Sequence, residues 1–344
     1  MGLLITILVC CLFGVTILRE ERAAKMIFGT LWFNAILVVL VVNIAFCFFG
    51  RIWGKKVTII SLGMILFHLS FVAMLSGIIY NSLFFFQGSI RVTEGESVLS
   101  GNIDSYDAEG HGLFFDFAKL KGETALIKMH SGYNIDGSNK RAAYEIAVGE
   151  GAGKKQGVIY VTKKMEHNGF DYFNEKEGYS VLISLEDKKG KNIYSAFVPL
   201  QSYQQNKDMK NRVYLYSSGT KEGPDMFAFP NEPVPPLFSL QITYSPSSKI
   251  KEMGGDVSLQ VFPLFVPESI QADTTLANGT VPVGGTLAVG DYMLTAKEVR
   301  YWVGMSVRHD PGKPIVLTSL WVGLIGMIVT FFGRMKKSRP LPTD

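Results

Sequence analysis

A polar stretch with strand-like alternation is held between two blocks of sequence that carry almost no charge, and few folds accommodate that arrangement. The first 86 residues and residues 314–333 are nearly free of charge apart from short basic patches, whereas residues 87–310 are as polar as an ordinary water-soluble domain. One chain therefore has to satisfy two solvents, lipid and water. The overall hydrophobic share of 47% is that of a globular protein and conceals this partition.

A helix needs ~20 apolar residues to cross ~30 Å of hydrocarbon. Four segments are expected to do so: Gly2–Leu18, which is short, Met26–Gly50, Val57–Tyr80 and Pro314–Gly333. Gly2–Leu18 lacks the basic flank and small-residue cleavage site of a signal peptide and is read as a span. The domain organisation expected is then 1–86 with three transmembrane helices, 87–310 as a β-rich domain, and 311–344 as the fourth helix with a basic tail. Basic residues in short loops set orientation. Arg51, Lys55 and Lys56 follow the second span, and Arg334, Lys336, Lys337 and Arg339 follow the fourth, so both patches fall on one side, the cytoplasm. Arg19, Arg22 and Lys25 oppose this arrangement, three residues against seven. The expectation is a multi-pass protein of the bacterial cytoplasmic (inner) membrane with its β domain facing the periplasm or cell exterior.

Charge narrows the function. Residues 87–310 hold 23 Lys or Arg against 27 Asp or Glu, while the flanks hold 11 basic and 3 acidic residues. The positive charge sits beside the spans, where anionic head groups and topology call for it. No basic stripe with interleaved aromatics marks a nucleic-acid binder. The three cysteines, Cys10, Cys11 and Cys47, all lie in apolar segments, so the polar region has no disulfide framework. No CxxC and no CxxCH occurs, which excludes a thioredoxin-like site and covalently attached c-type haem. There is no Walker loop, GxSxG, HExxH or dinucleotide fingerprint. The chain is expected to have no catalytic residues and no activity alone.

Within 87–310, Tyr, Val, Ile and Phe recur at every second place in Ser89–Val92, Val158–Lys163, Tyr179–Leu185, Asn192–Pro199, Arg212–Tyr216, Ser239–Tyr244 and Val257–Phe262. Glu186–Lys191 reads as a hairpin turn. Short helices fit Leu113–Lys121 and Ser202–Lys210. The fold class expected is a membrane protein with four transmembrane α-helices and an extracytoplasmic all-β, sandwich-like domain. Pro224–Pro236, with five prolines, is expected to be a loop that divides the domain into 87–223 and 237–310.

One residue stands out chemically. His68 falls inside the third apolar segment, eleven residues from Val57 and so ~16 Å along a helix, near the bilayer midplane. An ionisable group at that depth is a functional candidate, because its ring stays neutral and offers one nitrogen to a metal. The alternative is a histidine hydrogen-bonded to a neighbouring helix. Ala73 and Gly77 lie nearly opposite it and suit close helix packing, so the helix is expected to be covered on both sides. His309, beside the Asp310-Pro311-Gly312 turn at the mouth of the fourth segment, is a weaker ligand candidate. His111, His130 and His167 read as surface residues.

Several segments resemble the ResB (CcsB) family of cytochrome c biogenesis membrane proteins. Phe28–Cys47, with Trp32-Phe33, Asn43 and Cys47 before Arg51, is similar to the family's second span. Leu66–Gly77 (LFHLSFVAMLSG) is similar to its histidine-bearing third span, Gly88–Glu96 to the strand and turn that follow, and Asp310–Phe332 to its final span. Together these four segments cover 64 residues. The resemblance implies a subunit that works with a ResC/CcsA-type membrane protein to export or present haem and dock apocytochrome c. It implies transiently bound haem b, with His68 as an axial ligand to the haem iron, and a non-catalytic place in a haem-attachment complex. The tryptophan-rich motif of the partner is absent, since Trp32, Trp53, Trp302 and Trp321 are scattered. The competing expectation is a membrane-anchored β-domain scaffold or binding module without haem contact.

Overall fold

A computed structural model describes residues 2–16, 27, 30–52, 58–135, 138–203, 213–217, 224–247, 254–264 and 275–338. The basic positions Arg19, Arg22, Lys25, Lys55, Lys56 and Arg339, which carry much of the orientation argument, lie outside the described residues.

Among the described residues four α-helices are formed: α1 (Gly2–Thr16), α2 (Leu31–Ile52), α3 (Ile59–Phe84) and α4 (Lys313–Ser338). Two of them, Ile59–Phe84 and Lys313–Met335, combine the length and apolar character needed to cross a bilayer. Helix α2 is apolar over the shorter stretch Leu31–Phe46, and α1 has only 15 residues, about 22 Å at 1.5 Å per residue. Helix α3 opens on a reciprocal cap, in which the Ser61 amide donates to Thr58 Oγ1 and the Thr58 amide to Ser61 Oγ.

Helices α3 and α4 run antiparallel and very close, because small residues recur every seven positions on both. Gly63, Ser70 and Gly77 are buried on α3, and Ser319 and Gly326 on α4, which is preceded by the buried Gly312. A Cβ on Gly63 would stand 2.7 Å from the Gly326 carbonyl and the Thr330 amide, and one on Gly326 2.7 Å from the Phe67 amide. A seven-residue repeat keeps one seam facing the partner helix, and small side chains let the backbones approach. Gly77 lies in this contact as expected. Ala73 instead lines a groove beside it.

The β region lies between α3 and α4. One sheet of twelve strands carries the path β14-β13-β12-β10-β9-β8-β16-β1-β3, with β7 on β8, β11 on β12 and β15 on β16. These are β1 (Phe86–Thr93), β3 (Tyr106–His111), β7 (Met165–His167), β8 (Phe170–Asp187), β9 (Asn192–Tyr203), β10 (Val213–Leu215), β11 (Phe227–Phe229), β12 (Phe238–Pro246), β13 (Gly255–Phe262), β14 (Ala277–Pro282), β15 (Thr286–Val289) and β16 (Tyr292–His309). A second sheet, β2-β4-β5-β6, is built from β2 (Ser97–Leu99), β4 (Glu123–Ile135), β5 (Ser138–Gly149) and β6 (Lys155–Ile159). All strand pairs in both sheets are antiparallel.

Strands β8 and β16 form the spine. They pair from Asp171↔Arg308 beside the helices to Asp187↔Tyr292 at the far end, with bulges at Ala296/Glu298 and Gly304/Met305. Two separate cores lie along this spine. The core nearer the helices gathers Phe86, Ile90, Phe115, Ile146, Ile159, Phe170 and Met305 between the two sheets. The farther one gathers Ile183, Leu185, Leu200, Leu240, Ile242, Leu259 and Leu294. There β14 turns through Gly284–Gly285 into β15, which lays Leu287 against Gly279 and brings the sheet round on itself.

Most expected strands form. Three expectations need correction. Val158–Lys163 ends its strand at Ile159 and then makes a Tyr160–Lys163 bridge across a turn. Ser202 and Tyr203 extend β9 rather than start a helix, and 204–210 lie outside the described residues. Pro224–Pro236 contains β11, and β10 pairs with β12 across it. The proline run therefore divides nothing, and the division falls along the shared strands β8 and β16 instead.

Candidate functional site

His68 is half-buried near the middle of α3. Helix α2 runs antiparallel to α3 and is tied to it at two levels. Asn34 Nδ2 donates to Ser82 Oγ at 3.0 Å, and the Phe48 ring stacks on the His68 imidazole at 4.4 Å between centroids and 10° between planes. Phe67 meets the imidazole edge-on at 5.5 Å. With α4 on the Gly63–Ser70–Gly77 side and α2 on the His68 side, α3 is covered on both faces, as its sequence implied.

The His68 ring is locked in one tautomer. Nδ1 lies 2.8 Å from the Met64 carbonyl oxygen, one turn earlier in the same helix. A carbonyl only accepts, so Nδ1 carries the hydrogen, and the neutral ring keeps its lone pair on Nε2. That nitrogen is the one free to bind a metal or accept a proton. Among the described residues no group of three or more His, Cys, Asp or Glu is assembled to hold a metal ion. The site therefore offers a single imidazole donor beside an aromatic ring, not a cage. A cavity of about 470 Å³ lined by Leu69, Ser70, Ala73, Thr318, Ser319 and Val322 opens between α3 and α4. It flanks the small-residue seam, away from the His68–Phe48 stack. The Ser70 and Ser319 hydroxyls there bond to carbonyls of their own helices, so the cavity wall is apolar.

His309 ends β16. Its Nδ1 donates to the Gly169 carbonyl at 2.8 Å and its ring stacks on Phe170 at 4.9 Å. Asp310-Pro311-Gly312 is the turn the sequence announces. Gly312 N donates to Asn81 Oδ1 at 3.1 Å, and a Cβ on Gly312 would stand 2.1 Å from the Gly77 carbonyl oxygen. His309 is thus level with the C-terminal end of α3. It lies roughly 20 Å along the helix from His68, thirteen residues at 1.5 Å each. The two candidate histidines are not brought together and do not share a ligand.

His111 was read as a surface residue. It is exposed, yet it and His309 pair with Phe86 from the two neighbouring strands, and both imidazoles approach the buried Phe115 ring, at 6.4 and 6.2 Å. His130 is paired with Glu145 at 3.2 Å, and hydrogen bonds from Gln156 and His130 hold that carboxyl below its usual range. Burial pushes the His167 imidazole down. Sequence reasoning missed Phe48 and Asn81. Each acts across a helix pair, where no local spacing points to it.

The family model described as ResB-like matches residues 127–338, more than half of the chain, from β4 through α4. This chain belongs to the ResB-like family. The match falls mostly on the β region, where resemblance residue by residue is weakest, and it takes in His309 and the Asp-Pro-Gly turn. Helix α3 and His68 precede the matched segment. No match was found among curated proteins. Membership of the ResB-like family, together with the apolar helices α3 and α4, makes this a membrane protein related to cytochrome c biogenesis.

Proposed function

We propose that this ResB-like chain helps present haem to apocytochrome c outside the cytoplasmic membrane, in a complex with a ResC/CcsA-type partner. The observation that carries the reading is the locked His68 imidazole. Its Nδ1 is occupied by the Met64 carbonyl, and its Nε2 lone pair is available at mid-helix. A lone imidazole would suit an iron held in a porphyrin, where the macrocycle and not the protein supplies most of the ligands. The donor set fits that cargo better than a free metal ion, which would need several protein donors. His68 would hold the iron, and Phe48 and Phe67 would fix the plane of the imidazole. Bound haem supplies the vinyl-bearing group that the complex delivers. All else in this chain positions it, with α2 and α4 bracing α3 and the β region standing directly on the outer ends of α3 and α4. Four membrane crossings and an outward-facing β region complete this reading.

The test is a visible spectrum of the chain purified with its partner. Wild type is expected to retain haem with a low-spin signature, and His68→Ala to lose most of it while the complex stays intact. Equal haem in His68→Ala removes His68 from the mechanism and leaves the scaffold reading, in which the β region docks a protein and the helices anchor it.

A further inference from the structure

We propose that the tip formed by Leu113 and Phe114 is an interfacial membrane anchor that seats the foot of the β region in the outer face of the lipid bilayer. The inference rests on the reading of α3 and α4 as membrane spans. It concerns a loop to which neither that reading nor the family match assigns a role.

The loop between β3 and the short turn at Phe117–Lys119 is laid directly against the last turn of α3. Gly112 N donates to the Phe85 carbonyl and Phe114 N to the Leu83 carbonyl, both at 2.8 Å. A Cβ on Gly112 would stand 2.3 Å from the Leu83 carbonyl carbon, so only glycine lets the chain approach this closely. Phe115 then turns inward and stacks on Phe86 at 4.9 Å in the core. Leu113 and Phe114 turn outward and remain 59% and 56% exposed. Two large apolar side chains held open on a backbone this firmly tied are not explained by packing within the chain.

Their height identifies what covers them. Asn81 is bonded to Gly312, the residue before α4 begins, so Asn81 marks the outer end of the apolar α4 stretch. Leu83 lies two residues further on, about 3 Å higher at the helical rise. The tip is therefore at the membrane–water boundary and not out in solvent. An aromatic row connects it to the lipid-facing side of α3. The Tyr80 and Phe84 rings are 5.0 Å apart, and Phe84 and Phe114 5.9 Å. Tyr80 is itself 43% exposed. Aromatic residues concentrate at this depth because an apolar body and a hydrated edge both find their solvent there. A protein partner would need no such continuity with a lipid-facing helix surface.

The experiment uses the full chain, with Cys10, Cys11 and Cys47 replaced by Ser, in vesicles of phosphatidylethanolamine and phosphatidylglycerol. Single spin labels are placed by Phe114→Cys, by Leu324→Cys on the exposed face of α4, and by Lys189→Cys at the far hairpin. Leu113→Cys serves as a second reporter should Phe114→Cys melt at lower temperature than its parent. The ratio of relaxation by oxygen to relaxation by a water-soluble nickel complex is expected to be highest at 324, lowest at 189 and clearly raised above 189 at 113 and 114. Labels at 113 and 114 that match 189 while 324 reports lipid overturn the proposal and leave the membrane reading standing. An aqueous value at 324 overturns the membrane reading and the anchor with it.

Discussion

Replacing Gly63 by alanine tests the claim that a seven-residue seam of small side chains joins α3 to α4. The new methyl group would meet the Thr330 hydroxyl, which can rotate, but also the Gly326 carbonyl and the Thr330 amide at 2.7 Å, against 3.4 Å for an ordinary contact. Neither backbone atom can turn aside, so the helices must part locally. Overpacking of this kind costs about 1–3 kcal/mol, while glycine to alanine inside a helix returns up to about 1 kcal/mol. The net expectation is destabilisation of about 1–2 kcal/mol. Gly77→Ala is the internal control. The three atoms nearest its methyl would be side-chain carbons of Ile315 and Val316 at 3.0–3.1 Å, which yield by a few tenths of an ångström. There the two terms nearly cancel. Thermal unfolding of both variants in detergent, read by helix circular dichroism, should place Gly63→Ala below wild type and Gly77→Ala close to it. The His68–Phe48 stack lies on the opposite face of α3, so if His68 holds haem as proposed, haem retention by Gly63→Ala should follow its folded fraction. Equal melting of Gly63→Ala and wild type, or a larger loss in Gly77→Ala, would refute the seam.

Two predictions concern the β region. Trp302 is 1% exposed and its Nε1 donates to the Leu200 carbonyl at 2.8 Å. Trp302→Phe removes that buried hydrogen bond and leaves space the smaller ring does not fill, and should cost about 1–3 kcal/mol, measured by denaturant unfolding; an unchanged midpoint would contradict the assignment. Burial pushes the Tyr172 and Tyr244 phenols up to about 12 from an ordinary 10, and burial with its tyrosine neighbours pushes Tyr179 higher still. A raised phenol keeps its proton in the folded state while the unfolded chain releases it. Stability is therefore full below about pH 10 and falls as pH rises toward 12. Tyrosinate absorbance from these residues should appear together with loss of sheet circular dichroism; tyrosinate forming near pH 10 in an intact sheet would disprove it.

Much of the β fold was legible from alternation, because a strand with one buried face writes its burial at every second residue. Tyr179–Leu185, Ser239–Tyr244 and Val257–Phe262 all became strands for that reason. Gly178 shows the limit. Nothing in its own neighbourhood singles it out among the glycines, yet a Cβ there would lie 2.2 Å from the Leu200 carbonyl and 2.5 Å from Trp302 Nε1. That requirement involves residues more than twenty and more than a hundred positions away. The Pro224–Pro236 run misled for a similar reason. Prolines forbid a central strand locally, but the sheet bypassed them by pairing β10 with β12.

By itself the sequence determined that apolar helices flank a sheet-forming region, and that His68 lies at mid-helix. Hydropathy and periodicity are local properties, written within one or two turns. The tertiary structure alone decided that β8 and β16 serve two cores, that Phe48 stacks on His68, and that Asn81 clamps the turn leading into α4. Each of these joins residues distant in the chain, and such pairings are set by which surfaces fit once the elements exist, which no short stretch of sequence specifies.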